Sequence, residues 1–547
     1  MCSKIVETGT YFDPETRIWT GPKLKMQSGA DASLGRCIVE SLLKLPDHIA
    51  QICANNGKQY TNEQILTMSI RIAQHLEDIG IQQEDVIGIC ASNTDFLAPL
   101  VFGSLLCGTI ISTLDPSFDK DGVRHIFSIT KPKIMFCDGG EVYQIVKESL
   151  AEIDPSIPIY TIKNHFEGVR RIEELIVSTG KEASFIVKPL KRGSSQTALI
   201  LCSSGTTGLP KGVCMSHESL MNSLIFSLNP DDKLLGFSTI YWVSGIICLV
   251  HGTMNNCTRV ITDQKFSPEL FLKIIEQYKI TAVFTPPSQM AMAVQCPDIS
   301  KRDLRSLLTY ICGGSAVPFA VVQEFSQHVK DCQMIIGYGM SELSGGCCFG
   351  IPTKAGENGK LMPNMTVKII DDNGKQLGIG EMGEICIKSP FNWAGYLGNP
   401  TATSQIYHQD GYIYSGDIGY FDESGSLLIV DRKKDIMKYN NFHFSPSEIE
   451  EVIIQIPDVV EVCVCGIPDI ISSFLPAAAV VKVPGSSLTE NDIAQYVAER
   501  MAHFKHLHGG VYFLDSLPKT ASGKNIRAKV TKILESLYDQ RKEKSFA

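Results

Sequence analysis

The chain of 547 residues lacks the features that mark nucleic-acid-binding, zinc-binding and disulfide-rich proteins. It has no long run of Lys and Arg, and its formal net charge is −9, so no electrostatic surface for nucleic acid is visible. Its 18 cysteines are scattered through apolar segments without paired CxxC units, which argues against zinc and favours free thiols in a reducing compartment. We therefore expect no structural disulfide and no nucleic-acid partner.

Long hydrophobic runs are equally scarce. Residues 1–7 contain no apolar segment of the kind that directs secretion. The uncharged stretch from 96 to 114 is nearly long enough to span a bilayer, but Pro99 and two glycines interrupt it. We predict a buried helix that ends at Gly108, a short strand from 109 to 113, and no transmembrane segment.

What the sequence does contain is a regular alternation of apolar strands and helical segments. Between residues 33 and 189, apolar runs such as Val86–Cys90 alternate with helix-like stretches, and the pattern returns at 282–285 and 308–312. Such alternation predicts parallel βαβ layers, and 44% hydrophobic residues suffice for packed cores. Between 356 and 431, short strands separated by glycine-rich turns are typical of a small antiparallel barrel.

These patterns predict an α/β fold in two parts. The first is a large N-terminal body, residues 1–432, built of two βαβ layered subdomains and the small β-barrel. A second, smaller domain, residues 433–547, begins at the densest charge cluster of the chain, Asp431–Asp435, and resumes the alternation of helices and strands.

The most distinctive segment is a loop rich in hydroxyls and glycines that follows the apolar strand Thr197–Leu201. Glycines let backbone N–H groups approach an anion, hydroxyls add donors, and a lysine supplies the opposing charge, so the loop predicts phosphate binding. It is not a Walker loop, since proline precedes the lysine and glycine follows it. The candidate phosphate ligands are Ser203, Ser204, Gly205, Thr206, Thr207, Gly208 and Lys211.

The loop Ser203–Gly212 resembles the phosphate loop of the adenylate-forming superfamily, which includes acyl-CoA synthetases, coumarate ligases and beetle luciferases. Five further motifs occur in that family's order, and the resemblance spans roughly residues 36–529. It implies activation of a carboxylic acid by ATP through an acyl-adenylate. The motifs are Gly313–Ser315, Tyr338–Glu342, Tyr414–Asp417, Asp431–Asp435 and Pro518–Lys524.

The resemblance implies a role for each motif around the nucleotide. A glycine shelf would lie beside adenine, and a carboxylate would accept hydrogen bonds from the ribose diol. A second carboxylate, Glu342, would bind Mg²⁺, which takes one or two carboxylates together with nucleotide phosphates. The implied nucleotide-binding residues are Gly313, Gly314, Ser315, Tyr338, Gly339, Ser341, Asp417 and Arg432.

Two lysines would serve two half-reactions. The resemblance implies that the C-terminal α+β domain is mobile, with a hinge near Lys433 and Lys434. Lys524 would cover the α-phosphate during adenylation, and Lys438 would be presented after a domain rotation, for thioester formation. The family usually has glycine at the position of Asn441, and asparagine is the best-tolerated substitute at positive φ.

The acid is specified less well than ATP. Where beetle luciferases have a His-His-Gly-Phe segment, the chain has Tyr241 and Trp242 ahead of Gly245, which disfavours luminescence. Gly345 and Gly346 would leave volume for an aliphatic tail. We therefore predict a magnesium-dependent acid:CoA ligase for a medium- or long-chain fatty acid, with ATP and CoA as co-substrates. A further departure, Ser472–Phe474 in place of the family's common Gly-Glu pair, has no predicted consequence.

Several alternatives remain open at this point. They are an aromatic-acid or 4-coumarate-type CoA ligase, a luciferase-like monooxygenase, an adenylation protein that loads a carrier domain, and a catalytically idle lipid- or nucleotide-binding homologue. No carrier-like segment follows Lys529, which favours CoA, and the intact motif residues disfavour the idle homologue. The terminal residues Lys544–Ala547 differ from a Ser-Lys-Leu peroxisomal signal, so we expect the cytosol by default.

Overall fold

A computed structural model describes residues 4–5, 8–26, 32–203, 210–223, 226–440, 442–469, 471–519 and 524–546. Its α-helices are α1 Leu34–Lys44, α2 Asn62–Asp78, α3 Leu97–Leu106, α4 Lys120–Thr130, α5 Glu141–Ile153, α6 His217–Met221, α7 Val243–Met254, α8 Pro268–Tyr278, α9 Pro287–Gln295, α10 Phe319–Ser326, α11 Pro400–Ile406, α12 Pro446–Ile453, α13 Glu490–Ala498 and α14 Arg527–Phe546. Short 3₁₀ helices cover Ile172–Leu175, Glu182–Ser184, Gly193–Ser195, Ile299–Lys301, Ser341–Leu343 and His503–Lys505.

The strands form several sheets, described below. In chain order they are β1 Lys4–Ile5, β2 Tyr11–Asp13, β3 Ile18–Thr20, β4 Ile49–Cys53, β5 Gln59–Thr61, β6 Val86–Cys90, β7 Ile110–Leu114, β8 Ile134–Cys137, β9 Ile159–Thr161, β10 Arg170–Arg171, β11 Thr197–Ser203, β12 Lys211–Ser216, β13 Phe226–Ser227, β14 Lys233–Leu235, β15 Thr258–Ile261, β16 Ala282–Thr285, β17 Thr309–Gly313, β18 Gln333–Met340, β19 Gly345–Gly350, β20 Lys360–Leu361, β21 Thr366–Ile370, β22 Gly383–Lys388, β23 Ile413–Phe421, β24 Leu427–Arg432, β25 Met437–Tyr439, β26 Phe442–Phe444, β27 Val459–Asp469, β28 Ser473–Lys482 and β29 Gly510–Phe513.

Two large, mainly parallel sheets make up most of the N-terminal body. One runs in the order β10-β9-β8-β6-β7-β11-β12, with only β12 antiparallel to its neighbour. The other runs β20-β19-β18-β17-β16-β14-β15-β4-β5, and it is parallel from β18 to β4. This arrangement confirms the predicted βαβ layers.

The predicted buried helix after residue 96 is α3, all of whose residues are buried. It ends close to Gly108, whose φ of +69° is easily reached without a side chain. The strand predicted at 109–113 is β7, Ile110–Leu114. Among the described residues, no helix is long and apolar enough to cross a membrane.

A six-stranded antiparallel sheet follows the order β2-β3-β21-β22-β23-β24. It contains the short strands predicted between 356 and 431, and two strands from the beginning of the chain that the sequence pattern did not place there. Trp19 of β3 is 1% exposed and stacks on Phe421 of β23 with 4.8 Å between ring centres. Burial of so large an aromatic pair anchors the N-terminal strands to this sheet.

The C-terminal residues form their own mixed layer. Its sheet runs β26-β25-β28-β27, with β29 parallel to β28, and α12, α13 and α14 pack on it. The change of sheet falls between Arg432, the last residue of β24, and Met437, the first of β25. A large body followed by a small α+β domain is the fold that the sequence predicts.

The topology also gathers the predicted motifs. Because β14 to β18 are parallel, their carboxyl ends lie at one edge of the sheet, where ligands of α/β proteins commonly bind. Gly313 ends β17, and Tyr338 lies near the end of β18. The adenine shelf and the tyrosine motif are therefore neighbours.

Candidate active site

Asp417 is the centre of the site. Antiparallel pairing of β23 and β24 places it opposite Arg432, and the Nε atom of Arg432 lies 2.6 Å from Oδ1 of Asp417. The hydroxyl of Tyr338 donates a 2.6 Å hydrogen bond to Oδ2 of the same carboxylate. Three residues from three of the predicted motifs are thus in contact.

Burial dominates the electrostatics of this group. Asp417 is 6% exposed, and this burial raises its pKa, although the neighbouring Arg432 acts in the opposite direction. The pKa of Tyr338 is raised well above its ordinary value, first by burial and then by the charge of Asp417. A buried carboxylate held in place by two donors can accept hydrogen bonds from a diol at a fixed position.

Lys524 of the C-terminal domain reaches the same centre. It stays accessible to solvent, yet the surrounding protein atoms lower its pKa, and the positive charge of Arg432 lowers the pKa further. The negative charge of Asp417 acts on it in the opposite direction. The structure therefore brings Lys524 into electrostatic contact with the Asp417–Arg432 pair, despite its distance along the chain.

Glu342 lies in the 3₁₀ helix Ser341–Leu343 and is 8% exposed. The hydroxyl of Tyr396 donates a 2.6 Å hydrogen bond to its Oε1 atom. The ammonium of Lys211 sits 4.9 Å from the centre of the Tyr396 ring, a cation–π distance. Tyr396 thus joins the predicted metal-binding carboxylate to the lysine of the phosphate loop.

Tyr396 belongs to none of the predicted motifs. Its only signal is a group of three aromatic residues, Phe391, Trp393 and Tyr396, in the loop between β22 and α11. The rings of Trp393 and Tyr396 meet edge to face with 4.9 Å between their centres. Burial and the adjacent Glu342 raise the pKa of the Tyr396 phenol, so it stays a hydrogen-bond donor.

Magnesium fits this corner as an ion shared with phosphate. Among the described residues, no group of three or more His, Cys, Asp or Glu side chains could hold a metal ion by itself. Glu342 offers its second carboxylate oxygen, since Oε1 accepts from Tyr396. One carboxylate suits Mg²⁺, which keeps several waters and takes phosphate oxygens as its other ligands.

The phosphate loop joins two paired strands. Ser203, the last residue of β11, lies opposite Lys211, the first of β12. The predicted ligands Ser204, Gly205, Thr206, Thr207 and Gly208 lie outside the described residues. The lysine at the far end of the loop is therefore fixed by the β11–β12 ladder.

The glycines of the nucleotide motifs are needed by the backbone. A Cβ atom on Gly339 would lie 2.2 Å from the carbonyl oxygen of Gly345, and one on Gly313 would lie 2.7 Å from that of Gly337. Gly314 has φ +95°, and the exposed Ser315 follows it. This part of the shelf is bare backbone at the carboxyl end of β17.

The glycines assigned to the acyl pocket have close neighbours. A Cβ atom on Gly245 would lie 2.0 Å from the carbonyl oxygen of Thr239, and one on Gly346 would lie 2.0 Å from the ring of Phe349. A Cβ atom on Gly345 would lie 3.3 Å from the Cβ atom of Ser223. Gly245 and Gly346 therefore allow their neighbours to pack closely on the side where a Cβ atom would stand.

The two aromatic residues ahead of Gly245 pack together. Tyr241 is 2% exposed and meets Trp242 edge to face, with 4.4 Å between ring centres. On its other side it contacts Phe118 at 5.2 Å. Tyr241 is therefore a core residue, and Trp242 is the more accessible of the pair.

The lysine predicted for thioester formation lies close in the chain to the departure at 441, and its strand is followed by a turn that contacts the departure at 472–474. Lys438 lies on β25 and is exposed. The following turn has its left-handed residue at Asn440, with φ +47°, and Asn441 lies outside the described residues. The backbone N–H of Asn440 donates to the carbonyl of Ser472, and Ser473 has φ +69°. The turn at Asn440 is therefore hydrogen-bonded to the 472–474 departure.

Comparison with known families agrees with this geometry. The family described as AMP-binding enzyme matches residues 39–397, and the family described as AMP-binding enzyme C-terminal domain matches residues 448–524. The chain belongs to the AMP-binding enzyme family. The resemblance to the adenylate-forming superfamily is thereby confirmed, and the chain is an enzyme of that superfamily.

Individual relatives of this AMP-binding enzyme include both ligases and luciferases. A probable 4-coumarate–CoA ligase 3 of Dictyostelium discoideum is 31% identical and covers 90% of this chain and 93% of its own length. A luciferin 4-monooxygenase of Photuris pensylvanica is 30% identical, covering 94% and 97%. Small-molecule acids as substrates fit this set of relatives.

Solved structures support the fold. The anthranilate CoA ligase AuaEII in complex with anthranoyl-AMP has a TM-score of 0.84 at 21% identity, covering 93% of this chain and 98% of its own. The luciferase-like enzyme from the nonluminescent Zophobas morio mealworm has a TM-score of 0.70 at 28% identity, covering 77% and 100%. The first of these likenesses concerns the fold alone.

Proposed function

We propose that the chain is an ATP-dependent acid:CoA ligase that works through an acyl-adenylate. A carboxylate oxygen of the acid attacks the α-phosphorus of ATP, and the bond to pyrophosphate breaks. The thiolate of CoA then attacks the acyl carbon, and the bond to AMP breaks. The products are pyrophosphate, AMP and an acyl-CoA.

The observation that carries this proposal is the pairing of Asp417 with Arg432, whose charges both act on Lys524 of the C-terminal domain. Asp417 would hold the ribose, which fixes the α-phosphorus close by. The ammonium of Lys524 would then offset the negative charge that accumulates on the α-phosphate during attack. Such an arrangement supports catalysis by positioning and electrostatics rather than by covalent participation.

The phosphate end is supported by a second group of residues. Glu342 would hold Mg²⁺ together with the phosphates, and this ion would offset charge on the departing pyrophosphate. Tyr396 fixes the orientation of Glu342, and Lys211 lies on the other side of the same ring. The magnesium ion on Glu342 and the ammonium of Lys211 would thus lie on either side of the outgoing phosphates.

Two classes of acid compete. Gly345 and Gly346 led to the prediction of a medium- or long-chain fatty acid, but a Cβ atom on Gly346 would meet the ring of Phe349, so these glycines do not by themselves indicate an open pocket. An aromatic acid is supported by the similarity to coumarate–CoA ligases across 90% of the chain. We therefore place aromatic acids beside fatty acids as candidate substrates.

The test measures pyrophosphate release with a panel of fatty and aromatic acids, with and without CoA, and identifies acyl-CoA products by mass spectrometry. We expect release that depends on the acid and a thioester that depends on CoA. Release without a thioester would show an adenylate-only enzyme. No release with any acid would favour a binding protein, and light with luciferin would favour the monooxygenase alternative.

A further inference from the structure

Arg259 is a buried cation whose visible partner is neutral. It lies on β15, is 8% exposed, and its Nη2 atom donates a 2.6 Å hydrogen bond to Oε1 of Gln51 on β4. Among the described residues, no carboxylate forms an ion pair with it. Burial lowers the pKa of Arg259 to about 10, so the guanidinium still carries its charge at neutral pH.

Buried cations in proteins are normally compensated, since removing an ion from water without a counter-charge is strongly unfavourable. Arg527 of the same chain shows the usual solution. Its Nη1 atom lies 2.7 Å from Oε1 of Glu450. Arg259 has an amide in the place where Arg527 has a carboxylate.

A cavity of about 30 Å³ lies beside Arg259. Asn93, Thr94 and Ser238 are among the polar residues that line it. The Oγ1 atom of Thr94 is buried and has no hydrogen-bond partner among the described residues. A guanidinium without a counter-charge and a hydroxyl without a partner thus line the same small space.

The size of the cavity suits a small anionic group. A water molecule needs about 10–15 Å³ measured in this way, so the space has room for about two water-sized atoms. The two oxygens of a carboxylate match that room. They could also accept from both Arg259 and the Thr94 hydroxyl, as a charge-assisted hydrogen-bond network requires.

The position of the cavity relates it to the acid. Gly245, which the sequence analysis assigned to the acyl pocket, also lines this cavity. The cavity lies toward the carboxyl ends of β14 and β15. Gly313 is at the same edge of this sheet. The strands β15 and β17 are three spacings apart in the sheet, about 14 Å. A substrate activated at one end could therefore present its other end to Arg259.

We propose that this cavity binds a second carboxylate at the far end of the acid, so that dicarboxylic acids are preferred substrates and Arg259 determines that preference. The inference rests on the proposed function, because it concerns the same acid. It commits to the substrate's own carboxylate as the missing counter-charge. If water fills the cavity instead, monocarboxylic acids will be the better substrates.

The first test compares kcat/KM for dicarboxylic acids of increasing length, aliphatic and aromatic, with monocarboxylic acids of the same lengths. We expect one length at which the diacid exceeds its matched monoacid by about 30-fold or more, as an added charged contact allows. An equal or better response to monoacids at every length would overturn the proposal. This comparison needs only the unmodified protein.

The second test uses Arg259→Gln and Thr94→Val, with the exposed Arg305→Gln as a matched control. Arg259→Gln should lower kcat/KM for the diacid by about 100-fold and leave the monoacid within about 3-fold, whereas Thr94→Val should weaken the diacid by about 5-fold. A merely structural role would instead lower both acids equally. If Arg259→Gln does not fold, Thr94→Val gives the same discrimination.

Stabilisation against heat by the diacid is measured on the same samples, together with pyrophosphate and thioester. Diacid-dependent stabilisation that is lost in Arg259→Gln, without thioester formation, would count against the CoA-ligase proposal alone. Thioester formation from monoacids, without any diacid preference or stabilisation, would count against the role of Arg259 alone. The two failures are therefore distinguishable.

Discussion

The hydroxyl of Tyr396 donates a 2.6 Å hydrogen bond to Oε1 of Glu342, and the ring of the same tyrosine faces the ammonium of Lys211 at 4.9 Å. One side chain thereby sets the position of both groups that we assign to the phosphates. Tyr396 is a positioning residue, since its hydroxyl acts on the nucleotide only through Glu342.

Removal of that hydroxyl tests the positioning role. Tyr396→Phe keeps the ring beside Lys211 but leaves Glu342 without this donor, so we expect adenylation to fall by about 10-fold, as the loss of one charge-assisted hydrogen bond implies. Half-maximal activity should also require more Mg²⁺. The measurement is pyrophosphate exchange across a magnesium titration, with Tyr407→Phe as control. An unchanged magnesium requirement would argue against the role.

Lys524→Ala should abolish adenylation and spare ATP binding. The ammonium would act on charge that develops during attack, whereas Asp417 and Arg432 would hold the nucleotide in the ground state. Pyrophosphate exchange is compared with equilibrium ATP binding. Lys519→Ala, which removes an ion pair with Glu461 at the base of the same segment, is the control. Equal losses of binding and exchange would show that the assigned role is wrong.

Lys438→Ala should slow thioester formation, the second half-reaction. Because Lys438 is exposed on β25, its loss should leave pyrophosphate exchange within about 2-fold of the unmodified protein, as surface substitutions usually do. Transfer of the acyl group to CoA should slow by at least about 10-fold if the lysine acts in thioester formation. Single-turnover transfer from preformed adenylate is the measurement. A loss confined to the exchange reaction would contradict the assignment.

Acid stability should depend on His217. Its Nδ1 atom accepts a 3.2 Å hydrogen bond from the backbone N–H of Leu34, and burial lowers its pKa from 6.5 to about 4. As the pH falls from 6.5 toward 4, the unfolded chain binds a proton that the folded chain does not. The free energy of unfolding therefore decreases by about 1.4 kcal/mol per pH unit from this residue.

Replacement of His217 by Gln should make the decrease less steep over that pH range, whatever its effect on stability at neutral pH. Urea unfolding at several pH values between 7.5 and 4.5 gives the slope. His328→Gln serves as the control. The buried His251, whose pKa is also lowered to about 4 by burial, should contribute independently and in the same direction. Equal slopes for His217→Gln and the unmodified protein would contradict this account.

Local motifs were predictable from the sequence because their chemistry lies within a few residues. Asp417 and Arg432 come together through strand pairing, whereas Tyr338 lies in a different sheet and reaches Asp417 by a side-chain hydrogen bond. The order of the motifs was nevertheless enough to expect the three residues in one site. The roles of Tyr396 and Arg259 could not be predicted, because their hydrogen-bond partners are distant in the chain. An isolated tyrosine or arginine has no local sequence signal.

Packing explains the remaining differences. Whether a glycine leaves a hole depends on what approaches it, and the ring of Phe349 fills the space at Gly346. Likewise, Trp19 pairs with Val367 in the six-stranded sheet, and no periodicity near residue 19 reveals a partner so far along the chain. These are properties of the folded core, which the hydrophobic pattern constrains only in total volume.

The buried carboxylate of Asp431 spans the junction between the two domains. Its Oδ2 atom accepts 2.6 Å from the hydroxyl of Ser445 and 3.1 Å from the backbone N–H of Ser447, at the start of α12. A rotation of the C-terminal domain about Lys433 and Lys434 would separate the Asp431 carboxylate from these two donors. Breaking these two hydrogen bonds would then be part of the rotation between the two half-reactions, so their strength would affect how readily the domain turns.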